Sequence, residues 1–280
     1  MLRQRLPSFS DRLTLRSGLE VSPFCIGLVS DAEVIPAAFD AGINFFFVSA
    51  DMHWPVYSAA RRGLELLLAR PGVRDAIVVA AVSYLTQPEF CWDPFVELRG
   101  EIRGLDRLDV LVIGGTYASD LLARLDVYRT IVASGRLGAR AVAATFHDRV
   151  AAAQAVNHDL VELAYARYSP AYPGARGDLF PRLRADRTTP LFNFKSTLGA
   201  TTMVPWARAN LGEEHWYPEV SDFYRFVLSR PELDGVLCSP STTQQLEELA
   251  AALARGPLDE EEETYLLNLC ALADGRARLE

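Results

Sequence analysis

The sequence predicts a closed barrel of eight parallel strands, each followed by a helix, which is the (β/α)8 TIM-barrel class. Short apolar runs alternate with longer amphipathic stretches over 280 residues, and such a barrel commonly needs about 250. The runs are rich in Val, Ile, Leu and Phe without clear alternation, as expected for strands covered on both faces. An open doubly wound sheet is the alternative, but the first turn, GLVSDAEV, lacks its G-x-G-x-x-G. We therefore expect one domain spanning residues 1–280.

The eight predicted strands are bounded by turn residues. In chain order they are Phe24–Val29, Ile43–Val48, Ala76–Val82, Val110–Ile113, Ala139–Ala144, Leu160–Tyr165, Leu191–Phe194 and Gly235–Cys238. The predicted helices have recognisable start and stop signals, such as the Asp at the start of the fifth and the DEEEE first turn of the last. They are Ala32–Ala41, Val56–Arg70, Pro94–Arg103, Ser119–Ser134, Asp148–Asn157, Val220–Ser229, Thr242–Arg255 and Asp259–Ala273. Residues 169–190 are predicted to form a long ordered loop.

The composition limits the possible partners and compartment. The formal net charge of −8 and the pI of about 5.2 argue against nucleic acid or an anionic membrane as the main partner. The four cysteines form no CxxC pair, and no stretch has the length and apolarity of a signal peptide or a membrane span. We expect a cytoplasmic protein with reduced thiols. The histidines lack metal-site spacing, so no metal is expected.

Five segments, in chain order, carry a set of motifs. They are RSGLEVSPFCIGL, AFDAGINFFFVSAD, LDRLDVLVIGG, SGRLGARAVAATFHD and LDGVLCSPSTTQQLEELAAAL. Together they resemble the aldo-keto reductase family over nearly the whole chain. The resemblance implies a barrel that binds NADPH across its mouth and reduces carbonyls, with a tetrad of Asp, Tyr, Lys and His. In such chemistry the Tyr donates a proton and the Lys lowers the pKa of its hydroxyl.

Carried over position by position, the resemblance places other residues where the family has its tetrad. The Asp position falls on Phe47 and the Tyr position on Met52, or on His53 or Trp54 if the turn shifts. The Lys position falls around Ala81, and the His position falls on Gly114. None of the residues at the Asp, Lys and His positions can donate, accept or carry charge. Ordinary NADPH-dependent reduction is therefore not expected.

The cofactor positions also differ from the family pattern. The Ser-Asn pair that holds the nicotinamide amide becomes Thr145-Phe146. The basic residue for the 2′-phosphate falls on Ser241, and the adenine-side Asn on Leu249. Phe194 remains as an aromatic residue that could stack on a ring. We expect no cofactor at this site.

Three residues at predicted strand ends are candidates for a replacement chemistry. Asp51 and His53 follow the second strand, and together they could form an oriented general base. Lys195 follows the seventh strand, where a desolvated amine can form a Schiff base. The structural alternatives are a helix cap for the pair, and for Lys195 an anion contact or a salt bridge to Asp51.

Aromatic and basic residues at predicted strand ends and loops form the expected ligand-binding set. Trp and Tyr in loops bury large areas at little entropic cost, and Arg suits carboxylates. The set is Phe47, Trp54, Tyr84, Trp92, His147, Arg167, Tyr168, Arg176, Phe194 and Lys195. Packing of these aromatic residues onto the barrel is the alternative.

Three functions remain open from the sequence. The favoured one is a non-redox binding protein that holds a peptide or small biosynthetic intermediate at the mouth, as an accessory to partner enzymes in natural-product or peptide biosynthesis. The second is a lyase, isomerase or cyclase that uses Lys195, His53 and Asp51. The third is a divergent NADPH-dependent oxidoreductase. A homodimer is compatible with each.

Overall fold

The computed structural model describes residues 2–51 and 54–276, with nothing described for the Trp54 side chain. Ten strands are present in this part of the chain. They are β1 Leu13–Thr14, β2 Glu20–Val21, β3 Phe24–Ile26, β4 Phe45–Ser49, β5 Val78–Ser83, β6 Val110–Thr116, β7 Ala141–Phe146, β8 Leu163–Arg167, β9 Leu191–Phe194 and β10 Gly235–Cys238. Strands β3 to β10 pair in parallel and close into a barrel, with β10 beside β3. The predicted (β/α)8 class is confirmed.

Strict inward and outward alternation divides the barrel into two apolar layers. On β4, Phe45 and Phe47 lie in the interior cluster, whereas Phe46 and Val48 pack against the helices. Both faces are apolar because both are buried, which explains why the sequence shows runs of hydrophobic residues rather than alternation. The tip of each strand therefore aims every second side chain into the barrel.

One end of the barrel is closed and the other is open. Strands β1 and β2 form an antiparallel hairpin, and Leu15, Leu19 and Val21 fill the N-terminal end of the interior cluster. The carboxyl ends of β3 to β10 carry the longer loops and open to solvent. The C-terminal end is thus the place where a ligand can enter, as is general for this architecture.

Eleven α-helices are present in the described residues. They are α1 Val34–Asp40, α2 Ser58–Leu68, α3 Val73–Ala76, α4 Asp93–Glu101, α5 Leu121–Ala133, α6 Arg149–Asn157, α7 Ala175–Asp178, α8 Ala200–Asn210, α9 Val220–Leu228, α10 Thr243–Ala254 and α11 Glu260–Ala273. Asp148 caps α6 by accepting hydrogen bonds from the backbone of Val150 and Ala151. Within these residues no helix is long and apolar enough to cross a membrane.

All the predicted strands and helices are present, but the β1–β2 hairpin, α3, α7 and α8 were not among the predicted elements. The bounds of β9 and β10 are as predicted, and the other strands differ by a few residues at their ends. Helix α8 was not predicted, because Pro205 stands inside it and Gly199 precedes it. The loop of residues 169–190 contains α7 and a short 3-10 helix at Phe180–Arg182. Both additions pack the loop against the barrel.

Candidate functional site

A cavity of about 510 Å³ opens at the carboxyl ends of the barrel strands. Phe47 and Phe194 form its apolar floor, and Tyr57 packs beside Phe47 with ring centroids 6.4 Å apart. Tyr84 and Thr145 line one wall, and residues 195–199 line the other. We call this space the mouth cavity.

Two basic side chains, His147 and Lys195, line the mouth cavity, and a third, Arg167, lies on the strand between them. The register pairs Phe146 of β7 with Ala166 of β8, and Arg167 of β8 with Phe194 of β9. His147, Arg167 and Lys195 therefore occupy the ends of three consecutive strands. We call these three residues the basic arc. Burial, Lys195 and Arg167 together lower the pKa of His147, so its imidazole is neutral at pH 7.

The basic arc lacks acidic partners in the described part of the chain. No Asp or Glu is among the described residues that line the mouth cavity. The Lys195 ammonium forms no ion pair there, and the Arg167 guanidinium stacks on the ring of Tyr172 at 5.2 Å instead of pairing with a carboxylate. In a protein with net charge −8, this is a local concentration of uncompensated positive charge. Such a pocket suits an anion.

The backbone turns Lys195 toward the cavity. Phe192 and Phe194 face the interior, so regular alternation would place residue 195 on the outer face. Instead Lys195 has φ 58°, a left-handed conformation that costs a non-glycine residue about 1–2 kcal/mol. The following turn holds this conformation, since Ser196 donates to Asn193 Oδ1 and the Asn193 amide donates to the Tyr168 carbonyl at 2.8 Å.

Two tyrosines give the mouth cavity neutral hydrogen-bonding groups. Burial raises the pKa of Tyr57, and burial together with the nearby Asp51 carboxylate raises the pKa of Tyr84. The Tyr84 ring lies over Gly114, where an added Cβ would approach ring atom Cδ1 to 2.6 Å. Gly114 is thus required for the ring to occupy this position.

Asp51 fastens the turn after β4 to the end of β5. Its carboxylate accepts a hydrogen bond from the Ser83 hydroxyl and another, at 2.7 Å, from the Tyr84 backbone N–H. These contacts assign Asp51 a role in positioning Tyr84. Within residues 2–51 and 54–276, Asp51 does not form an ion pair with Lys195. His53 lies outside the described residues, as does the Trp54 side chain, so the predicted pair with Asp51 stays a prediction.

Three residues of the expected ligand-binding set lie away from the mouth cavity. Tyr168 is fully buried, stacked on Phe226 with centroids 5.2 Å apart. Arg176 donates to the Tyr168 hydroxyl at 2.7 Å and pairs with Glu263 of α11 at 2.8 Å. Trp92 packs against the outer hydrophobic core, with the Arg136 guanidinium 5.8 Å from its ring. The structure does not bring these three residues to the mouth cavity, because a position in a loop after a strand does not determine which way a side chain points.

Comparison with known proteins identifies the fold. No protein-family model matches the sequence, and no curated protein is similar to it. Among solved structures, a protein from Pseudomonas aeruginosa described as an aldo-keto reductase superposes with a TM-score of 0.65 and 17% identity, covering 89% of this chain and 96% of that one. An aldo-keto reductase from a deep-sea metagenome library of the Medee basin gives 0.65 and 13%, covering 92% and 94%. The chain has the fold of an aldo-keto reductase. At these identities the likeness concerns the fold alone.

The positions that the sequence resemblance assigns to the reductase tetrad are apolar where the structure describes them. Phe47 is buried beneath the mouth cavity. Around the Lys position, Ala81 packs against the helices and the neighbouring Val82 points into the barrel. Gly114 is covered by the Tyr84 ring. Met52 lies outside the described residues.

The positions that the sequence resemblance assigns to the cofactor make other contacts in the structure. Thr145 lines the mouth cavity, but its hydroxyl oxygen accepts from the Gly115 N–H at 2.8 Å, and Phe146 points outward into the core. A second cavity of about 300 Å³ adjoins the first and is lined in part by Leu249, the position that the resemblance assigns to the adenine-side Asn. One arginine, Arg208, stands there with the carboxylates Glu219 and Glu248. Excess negative charge disfavours a phosphate-rich cofactor.

Several lining residues were missed by reasoning from the sequence. Tyr224 and Ser239 lie between the two cavities, and Leu198, Gly199 and Thr201 form the wall beside Lys195. Gly199 and Thr201 belong to the start of α8, which was itself not predicted. Among these residues, only Ser239 had a recognisable feature in the sequence, because it stands with Pro240 directly after the predicted strand β10.

Proposed function

We propose that the mouth cavity binds a small anionic molecule with an apolar body, without nicotinamide-dependent redox chemistry. The molecule is a small biosynthetic intermediate or the carboxylate end of a peptide. One observation carries the proposal: His147 and Lys195 stand beside an aromatic floor with Arg167 on the strand between them, and no acidic residue is among the described residues that line the cavity. Buried apolar surface supplies affinity, and the cations fix the orientation of the anion.

The charge pattern favours a carboxylate as the anion. Arg167 presents a planar fork of donors, which matches two carboxylate oxygens. Lys195 and the neutral His147 lie on either side of it. The apolar part of the ligand would then lie against Phe47 and Phe194 below the arc.

The tyrosines support binding rather than reduction. A reductase needs a phenol that releases its proton readily, which a cation achieves by lowering the pKa. The pKa values of Tyr57 and Tyr84 are raised, and no cation is among the causes. Their hydroxyls are suited to donate hydrogen bonds to a bound ligand. An accessory role beside natural-product or peptide biosynthetic enzymes is the setting we propose, and it rests on the sequence resemblance with altered tetrad positions.

Isothermal titration with 3-phenylpropanoate tests the proposal, with 3-phenylpropanol as the neutral partner of the same shape. The alcohol should bind roughly 10- to 100-fold more weakly, since a charged hydrogen bond contributes about 1.5–3 kcal/mol. Arg167→Met should produce a similar loss for the carboxylate. Arg182→Met is the matched control, because Arg182 is exposed on the 3-10 helix within the 169–190 loop and should leave affinity unchanged.

Two results would count against the proposal. Equal affinity for the acid and the alcohol would remove the basic arc from recognition. A rise of several degrees in the melting temperature with excess NADPH would restore the reductase alternative, because a ligand that binds the native state tightly stabilises it by mass action.

A further inference from the structure

Lys195 is the only lysine in the sequence. The other 27 of the 28 basic residues are arginines, so every remaining side-chain cation is a guanidinium. A guanidinium stays protonated in proteins and is not a nucleophile, whereas an amine can lose its proton and attack a carbonyl carbon. The single side chain with this chemistry lines the mouth cavity.

Anion binding alone does not account for this residue. Elsewhere the chain uses arginine for contacts with carboxylates, as in the pairs Arg149–Asp178 and Arg187–Asp234. Lys195 also adopts φ 58°, and lysine has no side-chain hydrogen bond that stabilises the left-handed region, unlike Asn or Asp. Backbone strain of this kind is most often retained where function requires it.

We propose that Lys195 forms an imine with a carbonyl acid bound in the mouth cavity, such as a 2-oxo acid with an apolar side chain. This inference rests on the proposed function, since it makes the anion of that proposal the carboxylate of a carbonyl compound. Arg167, on the neighbouring strand, would hold the carboxylate. A carbonyl next to that carboxylate then lies beside the Lys195 amine.

The surrounding residues suit each part of the step. His147 has a lowered pKa and is neutral at pH 7, so it can take the proton from the Lys195 ammonium. The nitrogen then attacks the carbonyl carbon and forms a C–N bond. The carbonyl oxygen takes one proton from the attacking nitrogen and one back from the His147 imidazolium, and it leaves as water. The ammonium and the carbonyl thus give a protonated imine and one water molecule. The apolar floor of Phe47 and Phe194 limits hydrolysis of the product.

Borohydride reduction with phenylpyruvate tests the inference in the full-length protein. Reduction converts an imine into a stable secondary amine, and peptide mass mapping locates it. The chain offers only two kinds of amine, the N-terminus and Lys195. We expect the adduct on Lys195 and its loss in Lys195→Arg, which keeps a cation at the mouth but has no amine.

A second lysine placed on the surface is the matched control. Arg182→Lys puts an amine on the exposed 3-10 helix within the 169–190 loop, and this lysine should stay unmodified under the conditions that label Lys195. Labelling of both lysines to the same extent, or of Lys195 equally in the urea-unfolded chain, would reduce the result to ordinary amine reactivity and overturn the inference.

The outcomes also separate this inference from the proposed function. If 3-phenylpropanoate binds and phenylpyruvate gives no adduct on Lys195, the imine is refuted while anion binding stands. If neither compound binds nor reacts, both fail together.

Discussion

Two residues other than glycine have a positive φ in the described part of the chain, and they lie at opposite ends of the barrel. Asp159, with φ 51°, precedes β8 at the N-terminal end, and Lys195, with φ 58°, follows β9 at the mouth. The Asp159 carboxylate accepts hydrogen bonds of 2.8 Å from Thr188 and Thr189 and pairs with Arg16 at 3.1 Å. The Lys195 side chain forms no hydrogen bond or ion pair with a described residue. The strain at Asp159 is offset by its own side chain, whereas the conformation of Lys195 is held only by its neighbours Asn193 and Ser196.

The same difference separates the charges at the two ends. At the N-terminal end Asp109 accepts from the Val79 N–H and pairs with Arg74, both at 2.8 Å, and Asp234 pairs with Arg187 at 2.7 Å. At the mouth, His147 and Lys195 of the basic arc line a cavity whose described lining residues include no acid. Paired charges such as these stabilise the fold, whereas the unpaired cations of the basic arc can be neutralised by a ligand.

The largest expected effect is the loss of stability in Asp109→Ala. Asp109 is 3% exposed, so its removal leaves the Val79 N–H unsatisfied and takes from Arg74 a buried partner. Breaking a buried pair of this kind costs about 3 kcal/mol. Urea denaturation should show this loss, while Arg167→Met at the mouth changes the free energy of unfolding by less than about 1 kcal/mol. Equal losses would abolish the contrast between the two ends.

The fold could be predicted from the sequence because its signal is distributed over many residues. Eight apolar runs and their helix caps each restrict the architecture, and an error at one end of a strand changes little. Helix α8 escaped because its sequence carries Pro205, and tertiary packing of Met203 and Ala207 compensates for the unfavourable local preference.

The candidate site could be predicted only in part because it depends on the direction in which each side chain points. Strand ends were identified, which placed Phe47, Tyr84, His147, Phe194 and Lys195 at the cavity. The sequence could not show that Tyr168 points into the core. Nor could it show the positive φ of Lys195, which turns the side chain toward the cavity although strand alternation would place it on the outer face.

A smaller effect distinguishes the two strained residues directly. Lys195→Gly relieves the left-handed strain without breaking a contact, so the free energy of unfolding should stay equal or rise by up to about 1 kcal/mol. Asp159→Gly relieves similar strain but loses the hydrogen bonds of the carboxylate. Its free energy of unfolding should therefore fall by about 0.5–1 kcal/mol. Thermal and urea unfolding of both variants measure this. A destabilised Lys195→Gly would show that Lys195 contributes to the fold, and its strain would then need no functional explanation.

The smallest expected effect is the pH dependence of anion binding. Burial, Lys195 and Arg167 keep the pKa of His147 below its usual value of about 6.5. A bound carboxylate adds a negative charge and raises that pKa, so binding takes up protons. Affinity for 3-phenylpropanoate should therefore increase, by roughly threefold, as the pH falls from about 7.5 to about 5.5. The dependence should vanish in His147→Gln. If affinity instead decreases on acidification in this range, the carboxylate does not lie beside His147 and the basic arc does not bind as a unit.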